Sequence, residues 1–159
     1  MDAIERMQKN LLLIRRTIGW TADEFGNRIG VTRQTINNLE AGRNKLSKTQ
    51  YIAMRSILDA EMMQYPEETE MLKLILDVFV DNPDKYPDKE KEQLLLKANM
   101  ITPSILAGST PRKVVSKELI ATAATLGVFS AILAPIGLGI ASVGSTATWL
   151  MKTILDKEN

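Results

Sequence analysis

An all-α fold is expected from three features of the sequence. Apolar residues recur at helical spacing, as in Ile4, Met7, Leu11, Ile14 and Ile18. Hydroxyl side chains that cap helices stand just before such runs, at Thr21, Thr32 and Ser47. Glycines suited to helix ends follow them, at Gly19, Gly30 and Gly42.

Taken in order, the first helix is expected from about Asp2 to Ile18, stopped by Gly19. Thr21 opens the next, and Glu24 three residues on completes a capping box. After a break at Ile29-Gly30-Val31, Thr32 caps a third helix that closes at Ala41-Gly42. Arg43-Asn44-Lys45-Leu46 reads as a short basic loop. Ser47 then caps a fourth helix with Tyr51, Met54, Ile57 and Leu58 facing inward. Pro66 is expected in the first turn of a further helix, where Glu67, Glu68 and Glu70 suit the positive end of the dipole. The stretch 81–90, with two prolines and clustered acids, reads as a loop, and a short helix follows to about Asn99. Residues 102–111 read as a linker.

The last third changes character. From Leu119 to Met151 no residue is charged, and Arg112, Lys113, Lys117 and Lys152 flank the stretch. Pro135 divides it into two arms, about 114–134 and 136–155. Small residues recur every fourth place on each arm, at Ala123, Gly127 and Ala131, then Gly137, Ala141 and Ser145. An uncharged run longer than a ~20-residue span favours membrane insertion. The many Ser and Thr in it favour a buried, self-associating hairpin. The expectation is attachment to the cytoplasmic membrane, with the soluble self-associating hairpin as the alternative, and a hairpin against a single crossing stays open. Three segments result: a head over 1–63, a helical connector and linker over 64–111, and an apolar helical hairpin over 112–159.

Composition excludes several chemistries. There is no cysteine and no histidine, so disulfides, thiolate metal sites and imidazole base catalysis are absent. Nothing resembles a phosphate-binding loop, a nucleophile elbow or a paired-carboxylate site. Asp81, Asp84 and Asp88 lack the glycine and final glutamate of a calcium loop. The expectation is therefore no catalytic residue, no metal and no cofactor, with the acids of 64–99 forming a solvated face. Net charge is only +1, but residues 1–63 hold ten basic against seven acidic residues while 64–99 hold five against nine. The acidic start of the chain is unlike a signal peptide, which points to a cytoplasmic head.

Two short helices around a glycine turn form a helix-turn-helix, whose second helix enters the DNA major groove. Here that helix carries Arg33, Gln34, Asn37 and Asn38 on its polar side and Ile36 and Leu39 on the other. Arginine pairs with guanine, and Gln or Asn with adenine, so these four are the candidate base readers. Arg43, Lys45 and Lys48 are candidates for phosphate contact, against the alternative of a merely solvated basic surface.

Residues 11–59 resemble the Cro/C1-type helix-turn-helix regulators, which have a lambda-repressor-like fold. The resemblance rests on Arg15 and Gly19, the turn glycine Gly30, Thr32-Arg33-Gln34-Thr35-Ile36, and Leu39-Glu40-x-Gly42. It implies base contact by Arg33, Gln34 and Asn38. It places Thr32 at the DNA backbone and pairs Arg15 with Glu40 as an internal salt bridge near the phosphates. Arg15 and Thr35 are counted with Thr32, Arg43 and Lys45 as candidate backbone contacts. Ala22 stands where the family usually has a phosphate-touching glutamine, and Gly26 where it usually has alanine. The implied protein is a sequence-specific regulator, in the simplest case a repressor. It would bind double-stranded DNA as a homodimer or higher homo-oligomer, anchored to the membrane or to its own copies through residues 114–155. The rival is a membrane-active or membrane-scaffold protein whose head only autoregulates or tethers DNA.

Overall fold

A computed structural model describes residues 1–126 and 140–155, with side chains for 1–126 and 148–155. The head is five helices: α1 (Ala3–Lys9), α2 (Leu11–Ile18), α3 (Ala22–Ile29), α4 (Arg33–Glu40) and α5 (Lys48–Gln64). The single first helix expected from periodicity is broken at Asn10, whose side-chain amide donates back to the Arg6 carbonyl at 2.8 Å. The apolar stripe is continuous across that break, which is why spacing alone does not reveal it. Thr21 and Glu24 form the expected capping box, and Ser47 forms another with Gln50. Gly19, Gly30 and Gly42 all adopt positive φ, the left-handed geometry that lets each chain end turn sharply.

Beyond the head lie α6 (Glu70–Leu76), a π-turn at Asp77–Asp81, α7 (Asp88–Ile101), α8 (Pro103–Leu106), α9 (Arg112–Thr125) and α10 (Ile140–Leu155). Pro66 sits in a turn rather than a helix, and α6 starts after Thr69. The expected linker at 102–111 is instead folded onto the head. Thr102 is buried, α8 packs on α2, and a Cβ at Gly19 would stand 2.9 Å from Ile105 Cγ2.

One apolar cluster runs from Met7 through Met71, Leu74 and Leu94 to Leu119 and Trp149. The head and the two segments after it therefore share a core. α9 lies against α6 and α7 and turns Val115, Leu119 and Ala123 inward. The acids of 64–99 are not simply a solvated face. Asp81 forms a two-bond pair with buried Arg55, at 2.6 and 2.9 Å. Asp77 accepts from Asn82 at 2.5 Å and from the Tyr86 hydroxyl. Burial, with that hydrogen bond and the Asp77 charge added, raises the Tyr86 hydroxyl well above its ordinary range.

Arg112 and Lys113, which flank the uncharged stretch in the sequence, are ion-paired. Arg112 reaches Glu61 at 2.9 Å, Glu68 at 2.7 Å and the Ile18 carbonyl at 3.0 Å, while Lys113 meets Glu67 at 2.9 Å. On α10, Trp149 donates to Asp59 at 2.5 Å and sets its ring edge-on to Tyr51 at 5.8 Å. Pro135, Gly127, Ala131 and Gly137, and so the expected turn of the hairpin, lie outside the described residues. Among the described residues no helix is long and apolar enough to cross a membrane.

Candidate nucleic-acid interface

The recognition helix α4 is placed by its contacts with α3 and by its own inner residues. Ile36 and Leu39 are buried in the head core. Thr32 caps the helix by accepting from the Thr35 amide at 3.1 Å. The turn between α3 and α4 is tight around Gly26, where a Cβ would stand 2.6 Å from the Val31 carbonyl oxygen. The alanine usual at this position has no room here, so the glycine is a packing requirement of this turn.

Two further tethers come from outside the motif. Arg15 gives two hydrogen bonds to Glu40, at 2.5 and 3.2 Å, and one to the Trp20 carbonyl at 3.0 Å. It is nearly buried. This pairing is the one the resemblance implied, and it commits most of the guanidinium's hydrogen bonds to the interior. Gln8 of α1 is the second tether. Its amide donates to the Leu39 and Asn44 carbonyls at 3.0 and 2.6 Å, and its oxygen accepts from the Leu46 amide at 2.9 Å. Sequence reasoning missed Gln8, because a lone polar residue on an amphipathic helix shows no sign of the loop it will meet.

The outer face of α4 is open. Arg33 and Gln34 are exposed, while Asn37 and Asn38 are half-buried. Asn37 lines a shallow concavity with Leu12, Gln34, Glu40 and Arg43. The Thr32 and Thr35 hydroxyls lie 3.0 Å apart at the helix start. Arg43 and Lys45 are exposed beyond its end. Arg43 does not stand free in the loop: it donates to Asn38 Oδ1 at 3.1 Å, as Gln34 does at 3.0 Å. The basic loop and the reading face are thus one polar surface. Trp20 and Phe25 are buried, with ring centroids 6.0 Å apart, and Arg28 covers Trp20 at 3.9 Å, so neither ring is a stacking platform. No group of acids that could hold a metal occurs among the described residues.

A short helix with a polar, base-matching outer face, held by a glycine turn against a second helix, defines a helix-turn-helix. Residues 11–62, about a third of the chain, match the helix-turn-helix family model, and the head is a domain of the Cro/C1 type. That class is one of DNA-binding transcriptional regulators and is not typically enzymatic. No curated protein and no solved structure matches the chain.

Proposed function

We propose that this protein is a sequence-specific DNA-binding repressor whose head acts in the cytoplasm and whose C-terminal segment joins it to further copies of itself. The observation that carries the reading is the outer face of α4, where Arg33 and Gln34 stand open beside half-buried Asn38 on a helix held by α3, its own buried residues, Arg15 and Gln8. Arg33 suits guanine, and Thr32, Thr35, Arg43 and Lys45 flank it where backbone phosphates pass. One such helix reads only a few base pairs. Two heads about one helical turn apart would double the site and the discrimination, which favours a dimer.

The tail supports self-association over membrane attachment. Val115, Leu119 and Ala123 are turned inward where α9 lies against α6 and α7 of the connector, and Trp149 is docked on α5, so contacts within the chain hold both ends of the uncharged stretch. Selection from a random duplex library, followed by gel-shift titration, tests the DNA reading: a defined and enriched site is expected, and uniform binding to all duplexes refutes it. Sedimentation of the purified full chain without detergent tests the tail. A monodisperse oligomer is expected. Carbonate-resistant partition into membranes would instead restore insertion through residues 114–155 and the membrane-scaffold rival.

A further inference from the structure

Hydrogen-bond polarity on the reading face leads beyond a list of base-contacting residues. A guanidinium has donors only. Because Arg43 Nη1 lies 3.1 Å from the Asn38 side chain, the atom it meets must be the amide oxygen. That oxygen also receives Gln34, which must therefore present its Nε2, at 3.0 Å. Arg43 thus determines which way two amides face, although it lies outside the helix.

The consequences for each amide differ. Asn38 has its oxygen occupied by two donors and is left with an NH2 group to offer. Gln34 keeps Oε1 and its second Nε2 hydrogen, an acceptor beside a donor. In the major groove adenine shows the complementary pair, the N6 donor beside the N7 acceptor. Guanine shows two acceptors there, which would set its O6 against Gln34 Oε1.

We propose that Arg43 is a specificity-determining positioning residue: through Asn38 it orients Gln34 to accept only adenine, and it turns Asn38 into a pure donor for guanine O6 or N7 or thymine O4. The backbone keeps Arg43 in register, since its amide donates to the Asn38 carbonyl at 2.9 Å. Without the guanidinium, Asn38 is free to turn over and Gln34 can follow it. The discrimination between adenine and guanine then fades without loss of Gln34.

This inference rests on the DNA-reading function proposed above, and the experiment separates the two. Full-length wild type, Arg43→Ala and Arg43→Lys are each taken through selection on a random duplex library, then titrated against the selected site and its single-base variants. Failure of wild type to select a site refutes the DNA reading itself. If wild type selects a site, Gln34→Ala identifies the base that Gln34 faces. At that base Arg43→Ala should lose about tenfold in adenine preference, whereas Arg43→Lys, which still offers only donors, should keep most of it. Thermal unfolding should be unchanged in both. A base other than adenine opposite Gln34, or an Arg43→Ala variant that weakens every site by one common factor, overturns the proposal and leaves Arg43 as a phosphate anchor.

Discussion

Arg33 and Arg112 each stand in the first turn of a helix, and the molecule treats them in opposite ways. Arg33 is exposed on α4, with no ion pair among the described residues. Arg112, at the start of α9, is only 14% exposed in its side chain and meets Glu61, Glu68 and a main-chain carbonyl while lying over the Tyr65 ring. In water a guanidinium is nearly indifferent to a partner. Once sheltered it must be paired, and removing one partner then leaves an uncompensated charge. The contrast separates a surface kept free for a ligand from a seam that ties the tail to the head. Arg15 belongs with Arg112, and its pairing with Glu40 makes it a tether of α4.

The largest effect should come from breaking the seam. Arg112→Ala strands Glu61 and the Ile18 carbonyl and should lower unfolding stability by about 3 kcal/mol, read as a shift in the urea midpoint. If the midpoint does not move, the two arginines are not different in kind. Gly26→Ala comes next. It drives a Cβ into the Val31 carbonyl, which is backbone and cannot rotate away, for a loss of about 1–3 kcal/mol. Operator binding should weaken in the same variant because α4 is displaced, and a gel shift alongside the melt checks both.

Arg33→Ala tests the open face. Specific binding should fall by about 1–3 kcal/mol with relaxed preference at one or two operator positions, while the melting temperature stays put. A variant that melts earlier would show that Arg33 is structural after all.

The smallest expected effect concerns the second seam, at Asp59. Burial raises this carboxyl above its ordinary value of 3.8, the Trp149 hydrogen bond and the Arg55 charge partly oppose the rise, and Asp81 adds to it. Its protonated form is thus favoured in the folded state. Its contribution to stability is present below pH 3.8 and is lost as pH climbs through the raised value. Asp59→Asn keeps an oxygen for Trp149 and cannot ionise. The difference in melting temperature, wild type minus variant, should therefore decrease as pH rises from 3 to 7. A flat difference would mean that Asp59 titrates alike in folded and unfolded chains.

Sequence by itself determined most of the helices of the head, the break at Asn10 excepted, and the polar side of α4. Caps, terminal glycines and three-four spacing are local properties, so Thr21, Thr32, Ser47 and Gly42 could be placed from their neighbours. The place of Arg33, Gln34 and Asn38 on the polar side of α4 was legible because a face opposite Ile36 and Leu39 follows from helical period alone. Tertiary structure decided everything that depends on residues far apart in the chain. It made Arg15 internal, recruited Gln8 to the loop after α4, folded the expected linker onto Gly19, and turned Arg112 and Asp81 from surface charges into partners. Whether a charge stays in water or finds a partner depends on which surface is folded over it. That surface is supplied by other helices, and no local pattern encodes it.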